Sequence, residues 1–133
     1  MNETAKVLRE KSFAFALRIV KLTQCLEDAQ KNWVLSRQLL KSGTSIGANI
    51  RESKFAQSNS DFISKLSIAL KEAEESAYWI DLLFAAGLIS RGDFSTLTAE
   101  LKWLIGTLVN VVKSCKLKDQ KLHVTRKTSS PAI

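Results

Sequence analysis

The sequence predicts an all-α protein, an antiparallel up-down-up-down four-helix bundle. Three observations carry that expectation. Four long stretches repeat apolar residues with a period near 3.6. The connections between them are short and rich in Ser, Asn, Asp and Gly. No stretch alternates with period two, so no strands are expected. The chain has 133 residues, the size of one domain. Its composition is 45% hydrophobic and 25% charged, with 5 Gly and 1 Pro. That is the composition of a soluble globular core, with too few turn formers for a sandwich or barrel.

The first segment runs from about Thr4 to Ala29. Leu8, Phe15, Leu22, Leu26 and Ala29 recur at sevens, fours and threes, and Phe13, Leu17, Val20 and Cys25 widen that stripe. The stripe is broader than a single partner helix needs. The second segment runs from about Asn32, as N-cap, to Gln57. At 100° per residue, Leu35, Leu39, Gly43, Ile46 and Ile50 gather on one face. Arg37, Lys41 and Arg51 lie on the other with Trp33 and Phe55. Gly43 and Gly47 each cost a helix interior about 0.5–1 kcal/mol, which points to a neighbouring backbone passing close by.

Residues 57–61 break the pattern, with Ser58 or Ser60 as the next cap and Asp61 suited to the positive helix end. The third segment then carries Phe62, Leu66, Ala69, Leu70, Ala73, Ala77, Ile80 and Phe84 to about Ala86, where Gly87 stops it. The fourth starts at a Ser90 or Asp93 cap. It repeats Phe94, Leu97, Leu101, Leu104, Ile105, Leu108, Val112 and Cys115. The reading divides the chain into a bundle over 1–115 and a basic, mostly disordered tail over 116–133.

Met1 to Lys11 carries both charge signs and no apolar core, and the most apolar run, Trp103 to Val112, is half the length a bilayer needs. No membrane partner is expected, and the cytoplasm is the expected location. Cys25 and Cys115 form no CxxC and read as small buried hydrophobes. The single His, His123, lies in the tail, so neither a Glu-x-x-His metal bundle nor a Ser-His-Asp arrangement can be built on the core. Glu72 and Glu75 share a helix face, but nothing answers them. Glu52 and Glu72 read as ion-pair partners. No phosphate-binding glycine loop or nucleophile elbow is present. The expectation is a non-enzyme with no cofactor and no metal.

Charge is unevenly distributed. The chain holds 20 Lys and Arg against 13 Asp and Glu, a net charge of +7. Residues 31–57 and 116–133 each carry a net +4, while 58–86 carry a net −3. Such charge can simply solvate outer faces. It can pair a basic second helix with an acidic third, within the chain or between copies. It can also bind phosphates.

The segment Ser36–Glu52 contains Ser45-Ile46-Gly47-Ala48-Asn49-Ile50-Arg51-Glu52, a Ser-Ile-x-x-Asn-Ile-x-Glu block. The segment Ser60–Ile80 contains Lys65-Leu66-Ser67-Ile68-Ala69-Leu70-Lys71-Glu72-Ala73, a Lys-Leu-x-Ile-Ala-x-Lys-Glu-Ala block. Together they resemble the bacterial four-helix proteins related to the intervening-sequence proteins of large-subunit ribosomal RNA genes, over about residues 8–115. The chain departs from many members in having Arg51 before Glu52 and Ser53 after it, where they have Ala and Gly. The resemblance implies a bundle that assembles as a homopentamer with a central pore. It also implies a distant similarity to the accessory variability determinant of diversity-generating retroelements, which binds nucleic acid and a reverse transcriptase. It brings no catalytic residues.

Two functions follow as expectations. The first is an oligomeric protein, in the pentameric form the resemblance implies, assembled through Trp33, Gly43, Gly47 and Phe55. It would bind RNA or DNA through Arg37, Lys41 and Arg51 and the tail. The alternative is a scaffold module for an unknown protein partner with no nucleic-acid role. Either glycine can instead serve the approach of another helix of the same subunit.

Overall fold

A computed structural model describes residues 3–29 and 32–129, with 122–129 described as backbone. The elements in order are α1 (Glu3–Asp28), α2 (Trp33–Ser53), α3 (Asn59–Ala85) and α4 (Arg91–Ser129), with no strand among the described residues. No helix is long and apolar enough to cross a membrane.

The helix starts follow their capping residues. Asn32, at φ 36°, accepts the Leu35 N–H on its side chain. The Ser58 hydroxyl accepts the Asp61 N–H at 3.0 Å, and Ser90 does the same for Asp93. Each satisfies an otherwise orphaned donor of the first turn. At the end of α3, Gly87 takes φ +73°. There Leu88 N–H bonds to Leu83 and Gly87 N–H to Phe84, which closes the last carbonyls. Helix α2 ends at Ser53, short of the expected Gln57. Lys54, Phe55 and Ala56 each donate three residues back, a tightened final turn, and the Ser53 hydroxyl bonds the Ile50 carbonyl.

Sequential helices pack side by side. Between α1 and α2, the Ser36 hydroxyl donates to the Thr23 carbonyl, Gly43 abuts Ile19, and Gly47 abuts Ser12. Between α2 and α3, the Ser42 and Ser76 hydroxyls meet at 2.9 Å, and Lys65 faces Glu52. Between α3 and α4, Phe84 stacks on Phe94, and Asn59 reaches the Cys115 carbonyl. The α1–α4 seam is the sparsest. Arg18–Glu100 at 3.0 Å and the Lys11 ammonium over the Trp103 ring bridge it.

The core runs along all four helices and includes Phe15, Ile19, Leu39, Ile46, Leu66, Ile80, Leu83, Leu104 and Leu108. Ile19, buried here, was not singled out from the sequence although it continues the stripe, four residues after Phe15 and three before Leu22. It fills the space left where Gly43 lacks a side chain. A Cβ at Gly43 would stand 3.0 Å from Ile19 Cγ1 and Cγ2, and one at Gly47 would stand 3.4 Å from the Ser12 carbonyl oxygen. Buried Ser12, Ser36, Ser42 and Ser76 extend this line of small residues, so the α1, α2 and α3 backbones approach closely.

Two further differences from the sequence reading concern the ends. Cys25 is exposed and Cys115 half-buried, and both are free. Cys25 falls one position off the packed stripe marked by Leu26, whereas Cys115, three residues after Val112, continues its stripe and is only half-buried there. Helix α4 does not stop at Cys115 but continues to Ser129. Asn59, at the start of α3, meets α4 at Cys115 and Asp119. The remaining turns run about 15 Å past that contact. Loss of the apolar period after Cys115 is not loss of helix. Residues 130–133, the end of the tail read as disordered, lie outside the described residues.

The small-residue contact gives a stability prediction. Gly43→Ala should lower stability by about 1 kcal/mol in urea titration. Overpacking against a buried β-branched side chain outweighs the gain in helix propensity. Gly47→Ala should change stability by less than about 0.5 kcal/mol. A stabilised Gly43→Ala would contradict the close approach.

Candidate interaction surface

The outer side of α2 carries one stripe. Trp33, Arg37, Lys41, Thr44, Ala48 and Arg51 succeed one another at threes and fours, and Phe55 continues the line beyond the helix end. Trp33 is 60% exposed and Phe55 75%. They sit at opposite ends of the stripe, about 33 Å apart at helical rise. Beside it, α1 presents Phe13, Leu17 and Val20, also exposed and also spaced at four and three. These are the residues that made the first stripe too wide, and here they face outward.

The cations of the stripe lie over its rings. The Arg37 guanidinium stands 5.2 Å from the Trp33 ring centroid and also approaches Glu27 at 3.8 Å. The Arg51 guanidinium stands 5.8 Å from Phe13, across the α1–α2 junction, and Lys54 stands 5.9 Å from Phe55. Lys41 has no ion-pair or ring partner among the described residues. Between Phe13 and Phe55 lies a groove of about 890 Å³, floored by Ala16, Thr44, Gly47 and Ala48 and edged by Arg51.

The seven residues singled out from the sequence are thus divided by the fold. Trp33, Arg37, Lys41, Arg51 and Phe55 share one exposed stripe. Gly47 is half-buried in the groove floor. Gly43 is buried against Ile19 of the same chain and offers nothing to another copy. Its missing side chain serves the α1–α2 approach, the same-subunit role that the sequence left open beside an oligomer contact. Phe13 belongs to the surface and was legible only as excess width. Val34, also exposed at 55%, was not singled out, because a lone Val beside a cap carries no periodic signal.

The two faces do not neutralise each other within the chain as the charge blocks suggested. Among the described residues the one ion pair between α2 and α3 is Lys65–Glu52, and there the acid is on α2 and the base on α3. Glu72 serves through its backbone carbonyl, which accepts from the Ser76 hydroxyl. Glu75 accepts from the Trp79 indole. No group of three or more His, Cys, Asp or Glu among the described residues is placed to hold a metal ion.

The fold and surface define a class: a small four-helix protein with an exposed aromatic and cationic flank and no recognisable reaction centre among its described residues. The family described as 23S rRNA-intervening sequence protein matches residues 5–110, and the chain belongs to that family. A crystal structure from Bacteroides thetaiotaomicron, described as a protein of unknown function from the S23 ribosomal protein family, is similar to it. That protein is 45% identical, the match covers 84% of this chain and 99% of that one, and the TM-score is 0.81. No curated protein matches.

The Arg37–Trp33 stacking is open to measurement. A double-mutant cycle of Trp33→Ala and Arg37→Ala should give a coupling of about 0.5–1 kcal/mol in urea titration. Zero coupling would show that the two side chains are neighbours without attraction.

Proposed function

We propose that this protein is a non-enzymatic, cytoplasmic assembly unit. In this reading it is an antiparallel up-down-up-down bundle whose copies join through the outer α1–α2 flank. The observation that carries the reading is the exposure of Phe13, Trp33 and Phe55 on one flank, with Val34 beside them. A contiguous apolar surface of that kind marks a contact site on a soluble protein. Aromatic and Arg side chains together are the composition enriched at protein interfaces. The paired numbering along the helix contacts, 36 with 23 and 47 with 12, then 76 with 42 and 65 with 52, supports the antiparallel topology. The stoichiometry proposed is the pentamer that the family resemblance implies.

The same stripe cannot serve two partners at once. Arg37, Lys41 and Arg51 alternate with Trp33 and Phe55 along it, so an assembly that buries the aromatics also takes up these cations. Nucleic acid is then the competing reading for this flank, favoured by Lys41, which has no partner within the chain. A scaffold role toward another protein is the third.

Light scattering on the eluting protein separates these readings. The wild type should elute at several times the monomer mass of 14.8 kDa at micromolar concentration. Phe13→Asp with Phe55→Asp should reduce it to a monomer with unchanged far-ultraviolet circular dichroism. A monomeric wild type would sink the assembly reading. If instead the flank binds nucleic acid, retention on RNA should fall steeply between 50 and 200 mM salt, on the order of tenfold or more, and vanish in Arg37→Glu with Lys41→Glu. No retention at low salt removes that alternative.

A further inference from the structure

The α1–α4 seam is closed in one half of the molecule and open in the other. Where it is closed, Glu100 and Trp103 of α4 meet Arg18 and Lys11 of α1. The same α4 stripe continues as Thr107, Asn110 and Ser114, but α1 does not close on it. A cleft of about 790 Å³ results, between the start of α1, the end of α2, the start of α3 and this part of α4. That volume lies within the range of sites for small organic ligands, about 300–1,000 Å³.

Three properties of the lining define what it would hold. Arg9, Lys54 and Lys118 line it and no carboxylate does. Arg9 and Lys118 have no ion-pair partner among the described residues. An anionic group is therefore favoured. The hydroxyl and amide groups of the α4 stripe are uncommitted. Elsewhere in this chain helical hydroxyls bond their own backbone: Thr23, Thr44, Ser45 and Ser76 each donate to the carbonyl four residues back. Thr107 and Ser114 do not, and the Asn110 amide, unlike that of Asn49, which bonds the Ser45 carbonyl, has no protein partner among the described residues. Finally, the floor is apolar, with Leu8, Ile50 and Leu66 buried and the Phe62 ring half-buried beside them.

We propose that this cleft binds a nucleoside 5′-monophosphate. The phosphate sits among Arg9, Lys54 and Lys118, whose ammonium and guanidinium groups supply charge-assisted hydrogen bonds. The sugar and the edge of the base take up the donors and acceptors of Thr107, Asn110 and Ser114. The face of the base covers the apolar floor beside Phe62. A simple fatty acid would strip water from the α4 polar groups and return no hydrogen bonds. Inorganic phosphate would leave the floor wet. None of Phe13, Trp33, Arg37 and Phe55 lines this cleft, but Arg9 and Lys54 also line the α1–α2 groove, so the site adjoins the proposed assembly surface without using its rings.

Isothermal titration of the full chain with AMP, CMP, GMP and UMP, each against inorganic phosphate, tests the site. At least one nucleotide should bind with a dissociation constant below about 1 mM and at least about tenfold more tightly than phosphate. Asn110→Leu with Lys118→Glu, both exposed positions, should weaken that binding at least about tenfold while elution mass and circular dichroism stay unchanged. Arg37→Glu with Lys41→Glu should leave it intact. The proposal is overturned if no nucleotide exceeds phosphate. It is equally overturned if the cleft variant binds as the wild type does, or if binding is lost in the Arg37 and Lys41 variant. Loss of assembly in the Phe13 and Phe55 variant with nucleotide binding retained would leave this site standing.

Discussion

The close approach of α1 and α2 determines where every bulky side chain on those helices can go. At the contact, Gly43 receives Ile19, Gly47 lies against the Ser12 backbone, and Ser36 bonds the Thr23 carbonyl. With so little side-chain volume between them, the two backbones leave no room for an aromatic ring. Phe13 and Trp33 are therefore carried on the outward side, and Phe55 follows them past the helix end. The exposed flank is thus a consequence of the buried seam. A dense interior at α1–α2 produces an apolar exterior, and dense packing makes the seam at Gly43 sensitive to one added methyl group.

The same economy distributes the charges. Guanidinium groups that would otherwise compete for water lie over the exposed rings, as Arg37 does over Trp33 and Arg51 over Phe13. Such pairs are weak when wet and stronger when desolvated. A flank built this way gains on being covered, whereas a flank of isolated ammonium groups would lose. The α4 side of the molecule has the opposite character. There a cleft lined by Arg9, Lys54, Lys118 and the polar stripe of α4 lies over an apolar floor, and no aromatic ring is exposed beside a cation as on the α1–α2 flank.

The four helices, their caps at Asn32 and Ser58, and the stop at Gly87 were legible in the sequence because each depends on neighbours within one turn. Three features were not. The seat of Ile19 against Gly43 depends on an absent side chain across the seam, although its spacing four residues after Phe15 already puts it on the packed stripe. The end of α4 was misjudged because apolar periodicity reports a buried face, and α4 continues as helix after that period ends. The α4 cleft was invisible because Thr107, Asn110 and Ser114 carry no apolar period and the rest of its lining comes from distant parts of the chain. Of the surface residues, the stripe from Trp33 to Phe55 was readable from spacing alone. Which side of α2 the glycines served was a question only the packing could answer.

The central claim is that the rings of the α1–α2 flank are covered by other copies of this chain. Hydroxyl-radical footprinting at graded protein concentration measures their cover directly, residue by residue. Oxidation of Phe13, Trp33 and Phe55 should slow together as concentration rises through the assembly range, while Tyr78 on α3 serves as an internal reference. Oxidation of all three at one rate from nanomolar to high micromolar concentration would contradict the account.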